Sequence, residues 1–258
     1  MNSSKFVIFF GSAPISNVVL QLLIDAQIPV AAVVTKTDKP VGRHLKLTPN
    51  PVKVLTQKHK LRTYESLTDL EIPQGAVGLV AAYGKIIPQQ VLDKFNGQIY
   101  NIHPSLLPKY RGPSPLQQQI LDGVKDTGAT VIQVDAEMDH GPILAQVKDQ
   151  IMPGDTWQSL GERLFIKGAN LFVDYLHSPR KYSLTTQDHS QATYTKLLTR
   201  QDGFVPWEEF SHLLSSPSQL LDRKFRAYSP WPGVWSITDE GKRIKLLSLT
   251  PKVEVRVV

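Results

Sequence analysis

The chain carries four short runs that are apolar at nearly every position, and this restricts its fold more than any other feature. They are Lys5–Phe10, Pro29–Thr35 ("PVAAVVT"), Ala76–Tyr83 ("AVGLVAAY") and Gln98–His103. A strand of this kind must be covered on both faces, which is the situation inside a parallel sheet. Helical segments separate the runs, the first through Val18, Leu20, Leu22, Leu23 and Ile24. Strands alternating with helices specify an α/β fold, a Rossmann-like open and mostly parallel sheet. Thr130–Val134 and Ile143–Val147 are expected as a hairpin or bent edge of that sheet, with a long helix near Trp157–Tyr175 after them. Such sheets bind ligands at the carboxyl ends of their strands.

The 258 residues, 41% apolar and 20% charged, suit a domain of about 180 residues with a smaller one behind it. The pattern divides the chain into 1–178, a polar and irregular linker over 179–206, and a β-rich tail over 207–258. The linker is expected to lie wrapped against the first domain. The tail should hold a helix near Pro217–Ala227 and then strands rich in Val and Ile. About fifty residues make a marginal domain, so the tail should lean on the first. Cysteine is absent, which excludes disulfide and thiolate chemistry and fits a reducing compartment. No apolar run approaches the ~20 residues that span a bilayer. The first run stops at Gly11 without a cleavage site, so it reads as a strand rather than a signal peptide. A cytoplasmic location without membrane attachment is expected. Lys and Arg number 29 against 23 Asp and Glu, for a net charge of +6 and a pI near 9.4. That balance favours a polyanionic partner but is equally compatible with simple solubility.

The stretch "QIYNIHPSLLPKYRGPSP" ends a strand on two polar side chains. Residues two apart share a face, so Asn101 and His103 project together from the strand end. Pro104 and Pro108 stiffen the loop behind them, which lowers the ordering cost of binding a ligand there. An imidazole titrates near neutrality, and an amide can donate to a developing oxyanion without changing charge. Downstream, "VDAEMDHGPILAQ" places Asp139, His140 and Gly141 just after another strand. A carboxylate beside an imidazole favours its protonated form and fixes its tautomer. On its own, D-x-G describes mostly turns.

Together, "NIHPSLLPKYRGPSPLQQQILDG" and "TGATVIQVDAEMDHGPIL" resemble the signature of the folate-dependent formyltransferases. The resemblance implies a catalytic trio of Asn101, His103 and Asp139, with 10-formyltetrahydrofolate as formyl donor and an amine as acceptor. It also implies that Asn101 and protonated His103 stabilise a tetrahedral oxyanion while Asp139 supports the imidazole and helps move the amine proton. Neither a metal nor a covalent enzyme intermediate is required. By the same resemblance Tyr83, Gly84, Lys85, Ile86 and Ile87 in "AAYGKIIP", with Ser105, Leu106, Leu107 and Pro108, would hold the folate. Apolar walls with backbone donors suit a flat heterocycle with polar edges. The side chains of Ile86 and Ile87 also read as ordinary core.

The acceptor is read from the first long loop. "VVTKTDKPVGRHLKLTPNPVKVL" resembles the loop of the methionyl-tRNA branch of that family, with its D-[KR]-P-x-G-R pattern and P-V-K helix start. This implies initiator methionyl-tRNA as partner, with Lys39, Arg43 and Lys46 on its phosphates and Lys36 and Lys53 adding charge. "ATYTKLLTRQDGFVPW" and "RKFRAYSPWPGVW" resemble the branch's C-terminal domain, with Phe225, Trp231 and Trp235 read as core. The chain departs from the pattern in Gly11-Ser12-Ala13-Pro14-Ile15 for G-T-P-x-F, in His44, and in His140 where threonine is common. It also ends at Val258, several strands before such a barrel closes, which leads to an expectation of weaker tRNA binding with the transfer site intact. A monomer is expected. The alternatives are a sugar-nucleotide N-formyltransferase with the same trio, a glycinamide ribonucleotide formyltransferase, which lacks the C-terminal extension, and a catalytically dead RNA-binding relative. A nicotinamide-binding protein is poorly supported, since the turn after the first strand has no G-x-G-x-x-G.

Overall fold

A computed structural model of the protein describes residues 6–41, 46–215, 218–249 and 253–257. The elements run β1 Val7–Phe10, α1 Pro14–Asp25, β2 Val30–Val34, β3 Lys39–Val41, β4 Lys46–Thr48, α2 Pro51–Lys58 and β5 Thr63–Tyr64. They continue with β6 Val77–Val80, α3 Gln89–Asp93, β7 Ile99–His103, α4 Pro115–Asp122, β8 Asp126–Gln133, β9 Ile143–Gln150 and α5 Trp157–His177. The tail adds α6 Trp207–Ser215, α7 Gln219–Tyr228, β10 Trp235–Ile237, β11 Arg243–Ser248 and β12 Glu254–Val257. Seven strands form one sheet in the order β5-β2-β1-β6-β7-β8-β9. The first five are parallel, and β8 and β9 extend the sheet antiparallel from β7. This is the mostly parallel α/β sheet expected, with the expected hairpin at its edge.

The apolar runs follow from burial on both faces. Val7 and Phe9 of β1 enter a core with Leu20 and Leu23 of α1 and Phe172 of α5. Ile8 and Phe10 enter the opposite core with Val91 and Leu92 of α3 and with Phe95. Proline opens α1, α2 and α4 at positions where a helix lacks an internal acceptor for its N–H anyway. Thr156 caps α5 by accepting from the Ser159 N–H at 3.3 Å.

The tail holds the expected helix, α7, and one more ahead of it, α6. Two helices precede an antiparallel sheet of order β10-β11-β12. The helix α6 was not expected from the sequence: Trp207, Phe210, Leu213 and Leu214 keep helical spacing over only 9 residues. A third core runs from Leu116 and Ile120 of α4 and Leu160 and Leu164 of α5 to Phe210, Leu221, Tyr228 and Leu246 of the tail. The tail therefore shares its core with α4 and α5. Trp235 is buried and Phe225 packs against this core, whereas Trp231 sits 52% exposed in the turn after α7 and is not core. The linker lies along the sheet domain as expected: Thr185 exchanges backbone hydrogen bonds with Ile143, and Arg111 with Thr193 and Thr195. Among the described residues, no helix is long and apolar enough to cross a membrane.

Candidate active site

The last three residues of β7 carry the first two groups of the site. Asn101 and His103 face the same way, opposite Ile132 and Thr130 of β8. His103 is almost fully buried, and its Nε2 lies 2.9 Å from the Tyr110 carbonyl oxygen. A carbonyl only accepts, so this contact puts a hydrogen on Nε2 and turns Nδ1 toward Asp139. His103 Nδ1 is 3.5 Å from Asp139 Oδ1, too long for a good hydrogen bond. The tautomer is therefore set by Tyr110 and not by Asp139, contrary to the reading from sequence.

Asp139 is instead oriented by donors. Asn101 Nδ2 donates to its Oδ1 at 3.3 Å, and the Gly112 N–H donates to its Oδ2 at 2.8 Å. The amide, imidazole and carboxylate thus converge from two segments. Asp139 itself has a left-handed backbone, with φ of 53°, a conformation that costs free energy for a residue with a Cβ and is held only by its surroundings. Gly141 completes the turn because a Cβ there would run into the Gln133 carbonyl. The neighbouring His140 points elsewhere: its Nδ1 pairs with Asp135 Oδ2 at 2.7 Å and its ring stacks on His189 at 4.1 Å.

The loop behind His103 is pinned from below. Thr130 Oγ1 donates to the Ser105 carbonyl at 2.6 Å and accepts from the Leu107 N–H at 3.1 Å, while Gln146 Nε2 donates to the Leu107 carbonyl at 2.9 Å. Ser105 Oγ donates to the Lys109 carbonyl at 2.7 Å, closing the loop on itself. Ser105 and Leu107 are buried, leaving Leu106 and Pro108 half-buried. Tyr83 is 2% exposed with its ring edge-on to Phe10, so its side chain belongs to the core beneath the loop. Gly84, Lys85 and Ile86 are exposed, Ile86 at 85%, and Ile87 is core. Ile86 is thus not core.

The basic loop forms the hairpin of β3 and β4, with Lys39 opposite Thr48 and Val41 opposite Lys46. Arg43 lies outside the described residues, as does His44. Lys53 is not available for phosphates, since it pairs with Asp38 at 3.1 Å and Glu65 at 2.6 Å. Asn50 roots the hairpin beside the end of β1: its Oδ1 accepts from Val52 N–H and Thr35 Oγ1, and its Nδ2 donates to the Ser12 carbonyl.

Reasoning from sequence missed the groups that hold the trio. The Tyr110 carbonyl and Gly112 N–H are backbone groups, which the side-chain pattern does not mark. Gln187 is buried in the linker, donating to the Asp139 carbonyl at 2.9 Å and the Gly141 carbonyl at 2.7 Å. Nothing in the polar sequence around it marks that role.

Comparison with known proteins gives a consistent picture. Residues 4–176 match the Formyl transferase family and residues 198–256 match the Formyl transferase, C-terminal domain family. The chain is 39% identical over 252 residues to the methionyl-tRNA formyltransferase of Chloroflexus aggregans, covering 94% of this chain and 79% of that protein. In fold it is similar to a 4-N formyltransferase from Francisella tularensis, with a TM-score of 0.71 at 15% identity over 97% of this chain and 98% of that one. It is also similar to an N-formyltransferase from Helicobacter canadensis in complex with folinic acid and dTDP-3-aminofucose, with a TM-score of 0.67 at 18% identity over 94% and 88% of the two chains.

Proposed function

Since the chain belongs to the formyl transferase family, we propose that it moves the formyl group of 10-formyltetrahydrofolate to the amino group of initiator methionyl-tRNA. The observation that carries this reading is the convergence of Asn101, His103 and Asp139 at the carboxyl end of β7. The acceptor is supported by 39% identity, over most of both chains, to proteins named methionyl-tRNA formyltransferase.

The reaction forms a bond between the amine nitrogen and the formyl carbon and breaks the bond from that carbon to N10 of the folate. The proton lost by the amine ends on N10. Charge builds on the formyl oxygen as the amine attacks. Asn101 Nδ2 and a protonated His103 Nδ1 are the donors that meet it, and both are aimed before substrate arrives. His103 can do this because its Nε2 hydrogen is already committed to Tyr110. Asp139 balances a charged imidazole at 3.5 Å and accepts the amine proton, directly or through water. For the folate, the exposed backbone of Gly84–Ile86 and the half-buried Leu106 and Pro108 offer polar edges and apolar walls, which fit a flat pterin ring. Lys39 in β3 and Lys46 in β4 lie on paired strands, and these two are assigned, with Arg43, to the phosphates of the acceptor stem.

The test is transfer of labelled formyl from 10-formyltetrahydrofolate, offered in parallel to methionyl-tRNA and to amino-sugar nucleotides. Formyl-methionyl-tRNA should be the product. Label appearing only in the sugar nucleotide would overturn the acceptor assignment, and label in neither would overturn the reading entirely.

A further inference from the structure

The linker makes more contacts with the candidate site than a tether needs. Gln187 is 4% exposed and spends both ends of its amide: Nε2 donates to the Asp139 and Gly141 carbonyls, and Oε1 accepts from Arg111 Nε at 3.2 Å and Nη2 at 2.7 Å. Arg111 is 1% exposed, and among the described residues none of its hydrogen bonds goes to a carboxylate. Its remaining contacts are Tyr194 Oη at 3.2 Å and His189 Nδ1 at 2.8 Å, both from the linker. A buried guanidinium is costly unless its donors are met, and here the linker meets them.

The same segment grips the backbone on either side of Arg111. The Arg111 N–H donates to the Thr193 carbonyl at 2.8 Å, and its carbonyl accepts from the Thr195 N–H at 2.7 Å. The Tyr110 N–H donates to Thr193 Oγ1 at 2.8 Å. Gly112 has φ of 108°, and a Cβ there would meet the Thr195 carbonyl. Tyr110 supplies the carbonyl that fixes His103, and Gly112 supplies the N–H that fixes Asp139. Of the three groups at the site, two are therefore held by backbone that residues 187–195 hold in turn.

We propose that residues 187–195 are a strap that positions the reacting groups, with Gln187 its principal positioning residue: it fixes the main chain of Asp139 while its partner Arg111 fixes the peptide that orients His103 and Asp139. The inference rests on the formyl-transfer reading of the site. Its physical content is that kcat depends on linker side chains that touch no substrate, because misplacement of about 1 Å in a preorganised site costs up to ~100-fold in rate.

The informative variant is Gln187→Glu. It keeps an acceptor facing Arg111, so the fold should survive, but it sets a carboxylate oxygen against two carbonyl oxygens where an amide donated. We expect kcat to fall about 10- to 100-fold with KM for both substrates within about threefold. Thr193→Val should lower kcat in the same manner, and Thr193→Ser, which restores the hydroxyl, should rescue it. The Gly112 amide should exchange with solvent about tenfold faster in Gln187→Glu, since its acceptor Asp139 is loosened. A wild-type kcat in both Gln187→Glu and Thr193→Val overturns the strap, as does a loss confined to melting temperature. If the wild-type protein forms no formyl-methionyl-tRNA, the functional reading fails separately. Exchange at Gly112 needs no substrate and then decides the strap alone: faster exchange supports it and unchanged exchange overturns it.

Discussion

His103 shows how one side chain is committed at one end and left available at the other. Its ring is buried, its Nε2 serves the Tyr110 carbonyl, and only Nδ1 faces the site. His103→Ala should therefore do two things at once. Removing the donor to a developing oxyanion should lower kcat by about 100- to 10,000-fold. Leaving the Tyr110 carbonyl without its donor should cost roughly 1–3 kcal/mol of stability. A reading from sequence alone, which placed the residue at a strand end outside the core, anticipates the first effect without the second. Steady-state kinetics alongside urea unfolding separates them, and full activity would remove His103 from the mechanism. Asn101 and His103 were legible as a pair because they obey the two-residue period of a strand. Asp139 joined them only through the family resemblance, since D-x-G alone describes mostly turns. Tyr110 and Gly112 act through peptide groups, which every residue possesses, and so left no mark. Gln187 acts across 48 residues of chain, a distance that local pattern does not register.

At the scale of elements, the strands that were easiest to foresee are those buried on both faces, since burial alone dictates their composition. The short α6 was not foreseen, because two helical turns carry little periodic signal. The start of α5 depends on charge instead. Asp155 is buried ahead of it and receives Arg163 Nη2 at 2.6 Å, the Met152 N–H at 2.8 Å and Ser159 Oγ at 2.8 Å. Burial by itself would raise the Asp155 carboxyl; the hydrogen bonds from Arg163, Met152 and Ser159 outweigh it and hold the group below the usual carboxylate range. The sign follows. A carboxyl depressed in the folded state contributes stability above its unfolded value of about 3.9, and that contribution fades as pH falls through the lower folded value. Asp155→Asn should thus lower stability by roughly 1–3 kcal/mol near neutrality. Its deficit against the wild type should shrink at acid pH. Denaturant midpoints of both proteins between pH 7 and about 3 check this. A deficit that stays constant across that range would show that the carboxylate charge is not what matters.

Across the whole molecule, the tail and the sheet domain meet in a shared core rather than at a polar interface. Leu221 of α7 and Phe210 of α6 are fully buried with Leu116 and Ile120 of α4 and Leu160 and Leu164 of α5. Hydrogen bonds cross the same junction, from Trp157 Nε1 to the Ser229 carbonyl at 2.7 Å and from Arg226 Nη1 to the Asp155 carbonyl at 2.8 Å. The helix α4 begins three residues after Gly112, so this core lies directly behind the backbone that orients Asp139. The tail buries apolar side chains there that it could not cover by itself, and in return it braces the site from behind. Leu221→Ala should cost about 2–5 kcal/mol, the range for truncating a fully buried leucine. If the two regions are one cooperative unit, the loss should appear in both together. Far-UV circular dichroism, tryptophan fluorescence and formyl transfer should then decline along one superimposable curve, shifted to lower denaturant. Transfer activity persisting past the loss of tail structure would mean that the shared core joins two independently stable units, and that the tail contributes to binding but not to the integrity of the site.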